Sequence, residues 1–286
     1  MDGRNLTRTE GLAALAPRYD GYVVDLWGVL HDGLAAYPGA VACLAALREA
    51  GKRVVLLSNA PRRAEATRAG LRRLGFDDAL YDALVTSGEA THAALRDRPS
   101  PWFRALGARM YHIGPPRDRS VFEGLGLIET ASPAAASFVL NTGPDDERSP
   151  TDPGAFDDVL AACRAAGLPM LSANPDLTVM RDGLQIICAG VLTQRYRALG
   201  GDVVEIGKPD AAIYDTVFAA LDVADRTRIL AIGDSIRTDI AGAAAAGVDS
   251  LFIMGGIHAG EGRAAAAARL RAAGLTPVAI LDGLFW

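Results

Sequence analysis

The stretch Val23-Val24-Asp25-Leu26-Trp27-Gly28-Val29-Leu30 decides how the rest of the sequence is interpreted. The apolar residues from Tyr22 to Leu26 have the length and composition of a short buried strand. Asp25 places a carboxylate at the end of this strand, just before a glycine. Because ligands bind outside the carboxyl ends of strands in open α/β sheets, we interpret Asp25 as functional. The alternative is that it only caps a helix.

Three further strand ends carry polar side chains. They are Ser58-Asn59 after the strand 53–57, Gly207-Lys208-Pro209 after the strand 203–206, and Gly233-Asp234-Ser235 after the strand 229–232, with Asp239 beyond. The carboxyl ends of parallel strands share one edge of a sheet, so we expect these side chains to converge. Together they predict a phosphate site.

The alternation of short apolar runs with helical stretches predicts an α/β fold. A helix over 38–50, with Pro38 at its start and Gly51 just past its end, is typical of the crossover helices. The rhythm changes between residues 89 and 201, where strands recur at 109–113, 137–141 and 169–173. We expect a Rossmann-like parallel-sheet core domain over 1–88 and 202–286, with a smaller α/β domain inserted over 89–201.

Composition excludes several functions. The 286 residues are 50% hydrophobic and carry a net charge of -5, with no basic block, so nucleic acid is not an expected partner. No apolar run has the length of a membrane span. Cys43, Cys163 and Cys188 lie far apart without CxxC spacing, which argues against a zinc site or a disulfide framework. A cytoplasmic protein is therefore expected.

These residues supply the parts that phosphoryl transfer needs. Asp25 would attack phosphorus and form an aspartyl-phosphate that water then hydrolyses. Asp25 and Asp234 would share a Mg²⁺ ion, because this metal prefers oxygen ligands. Lys208 and the Ser58 hydroxyl would bind the phosphoryl oxygens, and Asp239 would orient a metal-bound water.

The same motifs, in the same order, resemble the haloacid dehalogenase superfamily, specifically its class IIA phosphatases with an inserted α/β cap domain. The resemblance runs from about Tyr22 to the C-terminus. It implies Mg²⁺-dependent hydrolysis of small phosphorylated metabolites. It also implies substrate-binding roles for Ser58, Asn59 and Lys208, and it allows a homo-oligomer.

Within the insertion, Asn174-Pro175-Asp176 and the stretch 183–190 resemble the cap of that class. The resemblance implies that Asn174 and Asp176 contact the substrate as the cap closes. The alternative is that the two residues only form an Asx-Pro turn, which needs no substrate.

Trp27 departs from the family pattern, which usually has a second Asp there to protonate the leaving oxygen. Its backbone carbonyl still allows metal binding, but loss of general acid-base catalysis costs about 10²- to 10⁴-fold in rate. We expect a slow or substrate-restricted hydrolase, unless His31, Asp32 or His258 replaces the missing group. The alternative for these three is a solvated loop. Trp27 itself is interpreted either as a core aromatic or as a platform for a planar substrate.

Two other functions remain open from the sequence. One is a non-catalytic protein that binds a phosphorylated metabolite, which Trp27 favours. The other is a phospho-receiver module, which also uses Asp, Lys, a hydroxyl group and Mg²⁺, but the length and the inserted domain argue against it.

Overall fold

The computed structural model of the chain describes residues 11–181, 183–258 and 260–286. Within these residues the strands form a six-stranded sheet, a five-stranded sheet and a two-stranded ribbon. Short apolar runs rich in Val, Leu and Ile form the strands, as expected for sheets covered on both faces.

The six-stranded sheet is parallel throughout, in the order β13-β12-β11-β1-β2-β3. Its strands are β1 Gly21–Val24, β2 Arg53–Ser58, β3 Ala83–Thr86, β11 Ile229–Gly233, β12 Asp249–Ile253 and β13 Ala279–Leu281. From β1 the chain adds β2 and β3 on one side of the sheet, and later adds β11, β12 and β13 on the other side. The strand order therefore reverses between β1 and β11.

Helices cover both faces of this sheet. They are α1 Ala40–Glu49, α2 Ala64–Arg73, α7 Ala212–Leu221, α8 Ala241–Ala246 and α9 Arg263–Ala272, with a π-helical turn Ile236–Ile240 before α8. Neighbouring residues of β1 point to opposite faces, so Val24 packs in the cluster with Leu44 of α1, and Val23 packs with Val217 of α7. Burying each such side chain contributes about 2 kcal/mol.

The five-stranded sheet is also parallel, in the order β10-β7-β6-β4-β5. Its strands are β4 Arg109–Ile113, β5 Ile128–Glu129, β6 Phe138–Asn141, β7 Met170–Ser172 and β10 Val203–Glu205. The helices of this region are α3 Ser87–Asp97, α4 Pro101–Ala105, α5 Asp157–Ala165 and α6 Ala189–Ala198. The α/β fold with a Rossmann-like sheet and a second, inserted sheet is confirmed.

One strand was assigned to the wrong sheet. We expected Val203 to Ile206 to return to the core, but Val203–Glu205 pairs with Met170–Ser172 at the edge of the second sheet. Its half-buried residues suit an edge strand rather than the interior of the core. We therefore propose that the inserted domain extends from residue 89 to about 206.

A ribbon formed by β8 Thr178–Arg181 and β9 Leu184–Ile187 is antiparallel and was not predicted. Strand β8 lies beside the short helix Gly256–His258 of the core, so the ribbon reaches across from the inserted domain. Short 3-10 segments complete the described elements: Leu12–Ala14, Ala16–Arg18, Asp78–Leu80, Pro116–Val121, Pro133–Ala135, Pro153–Phe156, Arg226–Arg228 and Gly256–His258. In the described part of the chain, each helix is too short or too polar to cross a bilayer.

Candidate active site

The predicted residues of the core meet at one edge of the six-stranded sheet. Asp25 follows β1, Ser58 ends β2, and Asp234 follows β11, and these three strands are neighbours. The backbone N–H of Asp25 still bonds the carbonyl of Ile232 at 2.9 Å, so the carboxylate leaves the sheet from a fixed position. Loops diverge to opposite faces where the strand order reverses, and this leaves a crevice for a ligand.

Lys208 is the electrostatic centre of the site. Its Nζ donates to Asp25 Oδ1 at 2.6 Å, to Asp239 Oδ1 at 2.6 Å and to the Leu57 carbonyl at 3.0 Å, and the residue is only 3% exposed. Burial by itself would lower the pKa of Lys208, but the carboxylates of Asp239 and Asp25 raise it well above its ordinary value. The ammonium group is therefore held in its charged form.

Three buried carboxylates lie together around this lysine. One oxygen from each of Asp25, Asp234 and Asp239 falls within 4.8 Å of the other two. Burial raises the pKa of Asp25, and the neighbouring Asp239 raises it further, while Lys208 lowers it. Burial also raises the pKa of Asp234 well above its ordinary value, with Asp25 the next cause. A bound cation would remove this repulsion and favour the ionised forms.

Asp234 has the surroundings of a metal ligand. It is 6% exposed, and its carboxylate makes no hydrogen bond within the described residues. Two loops pack closely against this carboxylate through Gly28 and Gly256. Any larger residue at either position would clash, since its Cβ would lie 2.0 Å from Asp234 Oδ2. The Trp27 carbonyl likewise accepts no backbone hydrogen bond from the described part of the chain. This set of oxygen donors fits a hard divalent cation.

Asp239 has a different environment from Asp234. Its Oδ1 accepts from Lys208, and its Oδ2 accepts from the Ser235 N–H at 3.0 Å. Because both oxygens are engaged by the protein, the geometry favours a residue that orients its neighbours. Its predicted role, the positioning of a metal-bound water, stays a prediction.

Ser58 and Asn59 follow the same strand but are used differently. Ser58 Oγ accepts from the Ala60 N–H at 3.2 Å, and its hydroxyl borders the cleft. Asn59 is buried, and its Oδ1 accepts from the Lys208 N–H at 2.8 Å while its Nδ2 donates to the Lys208 carbonyl at 3.1 Å. The side chain of Asn59 thus holds the backbone of Lys208. Its predicted contact with substrate stays a prediction.

The segment from Asn174 to Asp176 docks on the core. Asn174 Oδ1 accepts from the Asp176 N–H at 2.9 Å, which is the turn that the sequence allows. Asp176 Oδ1 in turn accepts from Asn59 Nδ2 at 2.9 Å, and Arg237 donates to the Pro175 carbonyl. Burial raises the pKa of Asp176, while Lys208 lowers it. The structure therefore brings this carboxylate to Asn59 of the core, and the predicted contact of Asn174 and Asp176 with substrate stays a prediction.

Trp27 stands at the wall of the cleft and is partly buried. Its indole packs against Gly33, where a Cβ would lie 2.2 Å from a ring carbon, and its ring centroid lies 5.2 Å from that of His31. Trp27 is therefore an aromatic residue packed against its own loop, and its use as a platform for a planar substrate stays a prediction.

Neither His31 nor Asp32 has the state of a general acid at neutral pH. Burial lowers the pKa of His31 to about 4, and its Nδ1 accepts from the Gly33 N–H at 3.0 Å. Asp32 accepts from the N–H groups of Leu34 and Ala35, each at 2.8 Å, and these bonds lower its pKa. The solvated-loop alternative suits Asp32, whereas His31 is only 5% exposed and is not solvated. The side chain of His258 lies outside the described part of the structure.

The site opens into a cleft of about 1170 Å³ between the two sheets. Sequence reasoning missed several residues that line it, among them Arg62, Arg117, Asp118 and the ribbon residues 178–181. Burial raises the pKa of Asp118 to about 6, against the lowering effect of Arg62 and Arg117. The sequence indicates Arg62 only through its position on the loop that follows Ser58. It carries no signal that would indicate Asp118.

Two family models match this chain. Residues 22–128 match a family model described as haloacid dehalogenase-like hydrolase, and residues 205–284 match one described as HAD-hydrolase-like. Chicken glycerol-3-phosphate phosphatase is 29% identical over 276 residues, which cover 89% of this chain and 86% of the relative.

Among solved structures, a hydrolase of the haloacid dehalogenase-like family from Brucella suis 1330 is 34% identical, with a TM-score of 0.83. The match covers 96% of this chain and 98% of the other. Glycerol phosphate phosphatase from Mycobacterium tuberculosis, in complex with calcium, is 27% identical with a TM-score of 0.62, and the match covers 84% of this chain and 67% of that one.

Proposed function

This chain belongs to the haloacid dehalogenase-like hydrolases and is a class IIA phosphatase of that family, and on this premise we propose that it hydrolyses a small phosphorylated metabolite through an aspartyl-phosphate on Asp25. The observation that carries the proposal is the bond of 2.6 Å from Lys208 Nζ to Asp25 Oδ1, beside Asp234 and Asp239. The named relatives act as phosphatases, which supports the same reaction class here.

The chemistry assigns a task to each residue. Lys208 binds Asp25 Oδ1, so Oδ2 is the oxygen that attacks phosphorus as the bond to the ester oxygen breaks. The ammonium group and the Ser58 hydroxyl hold the phosphoryl oxygens. Water then attacks phosphorus, the bond to Asp25 breaks, and inorganic phosphate leaves.

We propose that the leaving oxygen takes its proton from water in the cleft. Trp27 has no proton to give at this point, and His31 is neutral at physiological pH because burial lowers its pKa to about 4. We therefore propose that turnover is slow for alkyl phosphates and faster for aryl or acyl phosphates, whose leaving groups need less protonation.

Mg²⁺ is the proposed metal, with Asp25, Asp234 and the Trp27 carbonyl as ligands, and when bound it would neutralise charge on the transferring phosphoryl group. Lys208 bridges Asp25 and Asp239 and so orients both carboxylates. The three cysteines are free and buried, in agreement with the expected cytoplasmic setting, which stays a proposal together with self-association.

The test is hydrolysis of p-nitrophenyl phosphate with Mg²⁺. Asp25→Asn should lower kcat by at least about 10³-fold, because the nucleophile is lost while the fold is kept. Asp215→Asn, on the exposed side of α7, is the matched control and should retain activity. Chelation followed by return of Mg²⁺ should abolish and restore turnover. Equal rates for the wild type and Asp25→Asn would reject the proposal.

A non-catalytic binding protein and a phospho-receiver module are not favoured. The two phosphatases named above each match most of this chain's length, and loops of the inserted sheet line the same cleft as Asp25. A stable aspartyl-phosphate, lasting many minutes after the phosphodonor is removed, would reverse this preference.

A further inference from the structure

Loops at the carboxyl ends of the second sheet form part of the wall of the cleft that Asp25 also lines. In that sheet the chain passes from β4 to β5 on one side and then to β6 and β7 on the other. The strand order therefore reverses between β4 and β6, and residues 114–118 and 142–144 follow these two strands. A reversal of strand order is where open α/β sheets bind ligands. Most of these loop residues line the cleft.

Arg62 reaches this wall from the core and is held at three points. The Arg62 carbonyl accepts a hydrogen bond from Thr86 Oγ1 at 2.6 Å. Its backbone also packs directly on Gly88, where a Cβ would clash at 2.4 Å from the Arg62 nitrogen. Its Nε donates to Asp118 Oδ1 at 3.2 Å. Asp118 is only 3% exposed, so the guanidinium is tethered to a buried carboxylate of the inserted domain.

The hydrogen bond through Nε leaves the two terminal nitrogens of the Arg62 guanidinium group available. Arg62 Nη1 and Nη2 make no hydrogen bond within the described residues, and the side chain lines the cleft. Arg117 lines the same wall, and its contact with the exposed Asp146, at 3.6 Å, is longer than a hydrogen bond. Near these groups, His112 bonds Thr142 Oγ1 at 2.9 Å, and burial lowers the pKa of His112 to about 4, so it adds no charge.

The terminal nitrogens of Arg62 have no anionic partner among the described residues. Arg62 bonds the buried Asp118 only through Nε, and the exposed Asp146 lies 3.6 Å from Arg117 Nη1. A planar guanidinium with two free nitrogens matches a carboxylate or phosphate group through paired hydrogen bonds. The Nη atoms of Arg62 are therefore available to bind one further oxyanion in the cleft that Asp25 also lines.

We propose that the substrate carries a second oxyanionic group, a carboxylate or phosphate, which binds Arg62 and Arg117 at the reversal point of the second sheet. This inference rests on the proposed phosphatase function and adds the chemical class of the substrate. Arg62 lies four positions after Ser58, so an extended chain would separate them by about 14 Å at most. A linker of a few carbon atoms between the two anionic groups is therefore the expected size.

The experiment uses two sets of synthetic phosphate monoesters with linkers of two to six carbons. One set ends in a carboxylate and the other in the matched primary amide. For the best linker, kcat/KM should be about 10- to 100-fold higher for the carboxylate, because one charge-assisted pair of hydrogen bonds is gained. A parallel set of α,ω-bisphosphates shows whether phosphate serves better than carboxylate.

Variants of Arg62 test whether this residue causes the preference for a carboxylate over an amide. Arg62→Gln should reduce the ratio of kcat/KM for carboxylate over amide to near one, and Arg62→Lys should restore part of it. Arg73→Gln is the matched control, because Arg73 also lines the cleft but lies on α2, away from Asp118. It should retain the full ratio.

Both substrates are measured on the same variant, so a partial loss of folded protein or of cap closure lowers both rates and leaves their ratio unchanged. Equal rates for carboxylate, amide and bisphosphate in the wild type would overturn the proposal, as would an unchanged ratio in Arg62→Gln. Failure of the phosphatase function itself would be distinguishable, because p-nitrophenyl phosphate would then also remain unhydrolysed.

Discussion

Each of the two sheets reverses its strand order at the edge that borders the cleft, but one edge carries carboxylates and the other carries arginines. In the core, the strand order reverses between β1 and β11, and the loops there carry three buried carboxylates around Lys208. In the insertion, the order reverses between β4 and β6, and the wall there carries Arg117 and receives Arg62.

The difference lies in how the charges are satisfied. Lys208 makes three hydrogen bonds inside the protein, whereas the Nη atoms of Arg62 make none within the described residues. A fully bonded charge is preorganised for chemistry, and an incompletely bonded one is available for recognition. The comparison predicts that substitutions on the core edge change turnover for every substrate, while those on the other edge change the choice of substrate.

The largest effect is expected from Lys208→Met. It removes the positive charge from Asp25 and Asp239 in a buried site, so kcat should fall by about 10³-fold for every phosphate monoester. Steady-state kinetics with p-nitrophenyl phosphate and a carboxyalkyl phosphate would measure it. Lys52→Met, at a partly exposed ion pair with Asp20, is the matched control. A loss confined to the carboxyalkyl phosphate would contradict the division between the two edges.

The next effect concerns stability and pH at Asp118. Burial raises the pKa of this carboxyl from 3.8 to about 6, so the folded state binds its proton more tightly than the unfolded state. The resulting stabilisation is full below pH 3.8 and is lost as the pH rises through 6. About two pKa units correspond to about 3 kcal/mol.

Urea unfolding of the wild type and Asp118→Asn between pH 4 and pH 7 would test this. The free energy of unfolding of the wild type, relative to that of the variant, should fall by up to about 3 kcal/mol over this range. The exposed Asp158→Asn serves as control and should follow the wild type. A difference that rises with pH would mean that the ion pair with Arg62 outweighs burial.

The smallest of these effects is a gain in rate. Trp27→Asp should raise kcat for alkyl phosphates by about 10²-fold, since it adds a proton donor beside the nucleophile. Aryl phosphates should gain little, and Trp27→Phe should gain nothing for either substrate. No gain in a folded variant, checked by circular dichroism, would mean that another residue in the cleft already supplies the proton.

Much of the core was predictable because its signals are local. Hydrophobic runs of four to six residues ending in Asp25, Ser58 or Asp234 identify buried strands with polar ends. Val203–Glu205 shows where this reasoning fails: a short apolar strand carries no information on which of two parallel sheets it joins. The ribbon 178–187 was missed for a related reason, because its exposed apolar residues lack a clear alternation.

The sequence by itself determined the α/β fold, and it supplied Asp25, Ser58, Lys208 and Asp234 as the candidate site, because both depend on local composition and on motif order. Only the tertiary structure decided that Asn59 holds Lys208, that His31 is neutral, and that Arg62 pairs with Asp118. The physical reason is that burial, pairing and pKa depend on residues distant in sequence, which only the packed sheets bring together.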